Sequence, residues 1–226
     1  MPIPAASPSR NNHLLLRLPP RLRLEAECEL VQLRAGEPLG DFGQPRRELY
    51  FPGGCLISLM AGGADAGTLE LALVGDEGML GLSVLLGGDP PPWQAVVRGA
   101  GSAWRMPATR FRRLLGGQPR WQRQLLGYAG AVLAELAQAV VCASAHPIEA
   151  RLARWLLTAD DRNQGQSLLQ THAMLASVLG VRRSGITAAA GDLQRRQLIR
   201  YRRGQIHILD RPGLEQAACH CYRRAH

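Results

Sequence analysis

The sequence predicts an α+β chain made of an N-terminal β-roll, one long helix and a C-terminal winged helix-turn-helix. Three observations carry that reading. Short apolar runs punctuated by glycine pairs fill residues 25–106. The spacing then becomes helical from Pro119 to Ala145. A helix–turn–helix pattern, followed at once by an alternating hairpin, occupies residues 171–210. The expected boundaries are an arm over 1–24, a β-roll over 25–115, a long helix over 116–145 and the winged helix-turn-helix over 146–226.

The arm is rich in Pro and Arg and reads as a mobile segment or a short helix around Leu14–Leu18. In the next stretch the runs Glu29–Leu33, Leu49–Phe51, Cys55–Met60, Leu69–Val74 and Ala95–Val97 read as short strands. Gly53-Gly54, Gly62-Gly63, Gly75-Asp76 and Gly87-Gly88 mark turns between them. Strands at regular spacing with glycine-rich turns argue for a barrel or roll. From Pro119 onward Leu125, Ala129, Val132, Leu136, Ala139 and Ala143 follow a four–three alternation, the seam of a helix that pairs with its twin. Proline disfavours helical geometry in the residue before it, so His146-Pro147 ends this helix. Ile148–Leu157 reads as a further helix with Ile148, Leu152, Trp155 and Leu156 on one face, and Asp160–Gln166 as a polar loop.

The most informative stretch begins at Thr171, a good N-cap. Met174, Leu175, Val178 and Leu179 supply the inner face of a first helix, Gly180 the left-handed stop and Val181 an apolar plug. In the second helix Ile186, Ala189, Ala190 and Leu193 face inward. Arg182, Arg183, Ser184 and Thr187 are left on the outer face near its N-terminus. The segment Leu198–Asp210 alternates around Arg203-Gly204, a hairpin with a two-residue turn. Its Arg200, Arg202 and Arg203 would line a wing.

Charge points the same way. The net charge is +9 over 226 residues, without a single Lys. Residues 1–145 hold 14 Arg and 12 acidic residues, whereas residues 146–226 hold 13 Arg and 6 acidic residues. A compositional bias explains why the cations are Arg, but not why they crowd together. A local basic excess is the footprint of a polyanion-binding surface. Other function classes receive less support. No hydrolase elbow, P-loop or metal-ligand spacing is present, so no catalytic residue is expected. No uninterrupted apolar run reaches the length of a membrane span, and the proline-broken N-terminus lacks the order of a secretory signal, so a cytoplasmic protein is expected. The five cysteines, at 28, 55, 142, 219 and 221, are odd in number and mostly scattered, against a disulfide framework. Cys142 is expected to be buried as a small apolar residue. Cys219-His220-Cys221, with His226 close by, reads as a solvated tail, and no metal or cofactor is expected.

The order of elements resembles the Crp/Fnr family of bacterial regulators. The resemblance is carried by Tyr50-Phe-Pro, Val74-Gly-Asp-Glu-Gly-Met-Leu-Gly-Leu, Arg105-Met-Pro, Glu149-Ala-Arg-Leu-Ala-Arg-Trp-Leu-Leu, Leu179-Gly-Val-Arg-Arg and Leu198–Glu215. It implies a sensor β-roll of the cyclic-nucleotide-binding type, a dimerisation helix and a DNA-binding domain. Its expected partners are double-stranded DNA and a second copy of the chain, with RNA polymerase admitted as a further one. Thr171, His172, Arg182, Arg183, Ser184, Thr187, Arg200, Arg202 and Arg203 are the DNA-contacting set. Cyclic-nucleotide binders of the family carry a Gly-Glu-Leu element and an Arg-Ser pair. Here these align with Gly78-Met79-Leu80 and Trp93-Gln94. The ribose carboxylate becomes Met79 and the phosphate-binding Arg becomes Trp93, while Arg98 lies close in sequence. A buried phosphate without a cation is strongly unfavourable, so the effector is expected not to be cyclic AMP. The competing reading is a ligand-sensing β-roll whose basic end docks on protein or RNA.

Overall fold

A computed structural model describes residues 12–17, 27–63, 67–87, 93–163, 168–202 and 204–224. The chain forms two compact units. One takes residues up to Ser58 together with Val74–Ala131. The other joins Leu59–Leu73 to Val132 and everything after it. The strand-rich part is therefore shared between the units, whereas the sequence reading divides the chain in simple order.

In the first unit α1 (His13–Leu16) precedes β1 (Glu29–Leu33), β2 (Pro38–Gly40) and β3 (Glu48–Pro52). The hairpin of β4 (Leu56–Gly63) and β5 (Gly67–Val74) belongs mostly to the other unit; after it the first unit continues with α2 (Leu82–Leu86), β6 (Trp93–Gly99), β7 (Gly101–Pro107) and α3 (Ala108–Gly116). One sheet runs β1-β7-β3, and the other β2-β6-β4-β5. β7 lies antiparallel between its neighbours, with Arg105 opposite both Glu29 and Tyr50. Leu49, Phe51, Met79, Met106, Phe111, Trp121 and Leu125 make a closed core. Phe111 meets Trp121 edge to face at 5.2 Å, a favoured ring geometry. β2, β7, α2 and α3 were not foreseen as elements, because their glycines, arginines and short lengths hide the period.

The arm is docked where residues 12–17 are concerned. Asn12 is fully buried, and its amide donates to the carbonyls of Pro52 (2.9 Å) and Gly78 (2.8 Å). Its Oδ1 accepts from the backbone N–H groups of Leu14 and Leu15, capping α1. A buried amide with all these partners fixes the entry of the chain into the roll. The remaining arm residues of the sequence reading, 1–11 and 18–24, lie outside the described residues.

The long helix α4 spans Pro119–Ala145. Its expected seam needs correction. Leu125 is wholly buried in its own unit's core, so it is unavailable to a partner. Ala129, Val132, Leu136 and Ala139 are half-buried. Leu136, Ala139 and Ala143 line a cavity of about 570 Å³ with Leu71, Leu73 and Trp155. The open stripe lies one position round the helix. Leu126 is 51 %, Leu133 70 % and Val140 69 % exposed, at heptad spacing. Gly130 and Ala137 are exposed between them, and Ser144 is exposed one turn after Val140. Two adjacent stripes of this helix both satisfy the four–three alternation, and the pattern alone does not say which faces inward. The helix is also long and apolar enough, by length and composition, to cross a membrane, contrary to the expectation that no such run exists.

In the second unit α5 (Ile148–Arg162) is longer than foreseen. Asp160 and Asp161 belong to it rather than to a polar loop, because both are ion-pair partners of Arg211, at 2.8 Å for Asp160. The Tyr222 hydroxyl donates to Asp161 at 2.8 Å. Residues 164–166 of the expected loop lie outside the described residues. There follow β8 (Leu168–Leu169), α6 (His172–Leu179), α7 (Arg183–Arg195), β9 (Ile199–Arg202), β10 (Gln205–Ile208), α8 (Arg211–Ala217) and α9 (Cys221–Arg224). β8 adds an unforeseen third strand to the β9–β10 hairpin, pairing Gln205 with Leu169. Cys219 and Cys221 are buried, correcting the reading of a solvated tail. His226 lies outside the described residues.

Several polar contacts hold the β4–β5 hairpin and α4 onto the helices of this unit. Trp155 Nε1 donates to Glu70 at 2.6 Å, Arg162 donates to the Leu73 carbonyl, and the Thr68 and Ser177 hydroxyls meet. Arg162 also grips Glu135 with two nitrogens, at 2.9 and 3.0 Å. A bidentate guanidinium–carboxylate pair has a defined geometry, so α4 and α5 are coupled across the break at Pro147.

Candidate nucleic-acid interface

The surface is built on α6, α7 and the β9–β10 hairpin. Thr171 caps α6, its hydroxyl accepting from the Met174 N–H at 3.2 Å. Leu175, Ala176, Val178 and Leu179 form the buried face. Met174 is only half-buried, so Ala176 takes the place expected for it. Gly180 has φ +61°, the left-handed geometry a sharp helix stop requires, and Val181 N–H closes onto the Ala176 carbonyl at 3.0 Å. Arg151 donates to the Leu179 carbonyl, which ties this turn to α5.

Arg182 stands in the N-cap position of α7 without a side-chain cap of its own. Ile186, Ala189, Ala190 and Leu193 face inward, as the spacing predicts. Arg182, Arg183, Ser184 and Thr187 are exposed, and so are Thr171, Arg200 and Arg202. Arg203 lies outside the described residues. Arg195 and Arg196, further along α7, are occupied: Asp192 holds the first at 2.5 Å and Glu149 the second at 2.6 Å. Among the described residues, none of Arg182, Arg183, Arg200 and Arg202 is in an ion pair. Their charge is thus presented outward, beside a helix N-terminus that itself favours anions.

His172 is half-buried on this surface. Its ring stacks on Tyr201 at 4.5 Å, and its Nδ1 lies 3.0 Å from the Thr187 hydroxyl. Burial, followed by the nearby Arg183 cation, pulls its pKa below the ordinary imidazole range. At neutral pH it is therefore uncharged and acts as a packing and hydrogen-bonding group. Tyr201, which the sequence reading left unassigned, joins α6 to the hairpin. Its place in an alternating strand opposite Ile206 was the available signal.

The second set of expected residues falls in the first unit. Met79 is buried in the core, far from the polar role its aligned position would need. Its backbone N–H donates to the Tyr128 hydroxyl at 3.2 Å. A Cβ on Gly78 would run into that hydroxyl, so a glycine is required for the close approach. Trp93 and Gln94 are half-buried on β6, and Arg98 is buried on the same strand. Pro90, Pro91 and Pro92 lie outside the described residues.

Comparison with known proteins agrees with this geometry. Residues 150–217 match the Crp-like helix-turn-helix domain family. A transcriptional regulator of the CRP/FNR family from Thermus thermophilus is 25% identical, with a TM-score of 0.68, covering 84% of this chain and 98% of that one. FixK2 from Bradyrhizobium japonicum is 15% identical with a TM-score of 0.72, covering 85% and 98%. The c-di-GMP-responsive global regulator CLP of Xanthomonas campestris is 18% identical with a TM-score of 0.65, covering 82% and 96%. A comparison with curated protein sequences finds no match. Residues 150–217 thus carry a Crp-like helix-turn-helix domain, and the chain has the fold of these regulators.

Proposed function

We propose that the protein binds a near-palindromic operator as a homodimer, α7 entering the major groove and the β9–β10 wing riding on the backbone. The observation that carries this reading is the exposed group Arg182, Arg183, Arg200 and Arg202 around one helix N-terminus, none of which is in an ion pair among the described residues. The first turn of a recognition helix is what reaches base edges, and Arg is the commonest reader of guanine. The open apolar stripe of α4 supports the second copy. We assign the protein no catalytic step and place it in the cytoplasm, away from membranes, with RNA polymerase as a further partner. Residues 25–115 are the sensor, 116–145 the dimer helix and 146–226 the DNA-binding domain.

The test is a set of single Ala variants titrated against operator and scrambled DNA at several salt concentrations. Arg182→Ala or Arg183→Ala is expected to cost about 1–3 kcal/mol on operator and to relax one position of each half-site. Arg200→Ala and Arg202→Ala should weaken both DNAs alike and lower the salt slope by about one per lost phosphate contact. If both α7 variants lose operator and scrambled DNA equally, α7 does not read sequence, and docking of the basic end on protein or RNA becomes the better reading.

The effector is not cyclic AMP. Met79 in the core and Trp93 in the aligned cation position support this. Titration calorimetry with millimolar cyclic AMP or cyclic GMP should show no binding heat. A clear micromolar isotherm would overturn the assignment and make Arg98 the substitute cation.

A further inference from the structure

The second unit gathers four metal-ligating side chains that the DNA-binding reading does not use. Cys142 and His146 stand one turn apart at the end of α4. Cys219 and Cys221 flank the start of α9. Their donor atoms all lie within 4.8 Å of one another. Cys142 and Cys219 sulfurs are 3.4 Å apart, and Cys221 Sγ is 3.7 Å from His146 Nδ1. A tetrahedron with zinc–sulfur bonds of about 2.3 Å has edges of about 3.8 Å, so the observed spacings need only small adjustment. The three thiols are buried, at 3, 7 and 0 % exposure for Cys142, Cys219 and Cys221.

From this convergence we propose that Cys142, His146, Cys219 and Cys221 form a Cys3His site for a thiophilic divalent cation of the zinc class. Three sulfurs and one imidazole select such an ion over calcium or magnesium, which take oxygen ligands. The surroundings are those of a metal site. Gln138 Nε2 donates to Cys221 Sγ at 3.0 Å, a bond suited to a coordinated thiolate. The His146 ring packs edge-on against His220 at 4.9 Å, which fixes its plane. Ala150 of α5 packs on the cysteine cluster and accepts from Cys219 N–H at 3.3 Å. A Cys142–Cys219 disulfide would use two of the four donors and leave the approach of Cys221 and His146 without a purpose. The bound ion joins α4 to the C-terminal segment on both sides of the break at Pro147. It therefore holds the C-terminal end of the DNA-binding domain against the long helix.

The test uses the whole chain, reduced and freed of metal, with cobalt(II) as the probe. One cobalt per chain should bind, with the visible bands of tetrahedral thiolate coordination, and zinc should displace it stoichiometrically. Cys219→Ser and Cys221→Ser should lose those bands, whereas Cys28→Ser should keep them. Gln138→Ala should weaken binding about 10–100-fold, as loss of a partner behind a ligand does. His146→Cys, which restores four donors, should bind and shift the bands to longer wavelength, keeping the assignment testable if a serine variant does not fold. The proposal is overturned if the reduced chain takes up no cobalt, if the bands survive Cys219→Ser, or if Cys142 and Cys219 are found as a disulfide that persists under reductant.

Discussion

Glutamate in place of Leu133 or Val140 is expected to split the proposed dimer into chains of 24.6 kDa and to abolish tight operator binding. Both side chains are about seven-tenths exposed in the single chain, so neither change removes a contact that folding needs. In a two-fold dimer, however, the new charge is buried twice without a partner. That costs at least about 3 kcal/mol, roughly a hundredfold in the dimer dissociation constant. Light scattering at micromolar concentration reads the mass, and circular dichroism confirms the fold. The informative control is Leu136→Glu, one turn along but on the face that lines the cavity. It should reduce stability while leaving the surviving folded protein dimeric. If Leu136→Glu dissociates the dimer and Leu133→Glu does not, the seam is the one first read from the sequence and the exposed stripe is an ordinary helix surface.

The second large effect belongs to Leu152. This side chain is completely buried on α5, the helix against which α6, α7, α8 and α9 all pack. Leu152→Ala should cost about 2–5 kcal/mol by the lost transfer energy and the cavity left behind. Urea unfolding followed by circular dichroism measures it. Arg202→Ala, at an exposed wing position, should stay within about 0.5 kcal/mol of the parent while still weakening DNA binding. The pair separates loss of fold from loss of contact. A cost below about 1 kcal/mol at Leu152 would mean that α5 is not the centre of this core.

How much of this was legible in the sequence differs from element to element. The recognition unit was readable because each cue is local. Thr171, Gly180 and the inward set Ile186, Ala189, Ala190 and Leu193 depend only on spacing and on one left-handed residue. The wing was readable for the same reason, since an alternating pattern around a two-residue turn leaves little choice of register. Long-range choices were not readable. Leu125 and Leu126 are equally apolar neighbours, and only the packing of Phe111 and Trp121 decides that the first goes inside. Asp160 and Asp161 looked like loop residues because their partner, Arg211, is fifty positions away. The cysteine cluster was hidden in the same way. Cys142-x-x-x-His146 and Cys219-x-Cys221 are half-sites, and each is weak evidence until the fold closes the 77-residue separation between Cys142 and Cys219. Asn12 was invisible for a further reason: an asparagine in a Pro- and Arg-rich arm carries no sign that three backbone segments will converge on it.

Trp155 has a consequence of another kind. Of the four indoles in the protein, Trp93, Trp104 and Trp121 fall in the first unit, and Trp155 alone in the second. It is almost dry, and its N–H is held by the Glu70 carboxylate of the β4–β5 hairpin. The emission of an indole depends on its hydration and on the charge beside its ring nitrogen. The protein thus carries an intrinsic optical probe at the place where the hairpin meets the helices of the DNA-binding domain. Any rearrangement that parts Glu70 from α5 will shift the colour and yield of that fluorescence, with no dye attached.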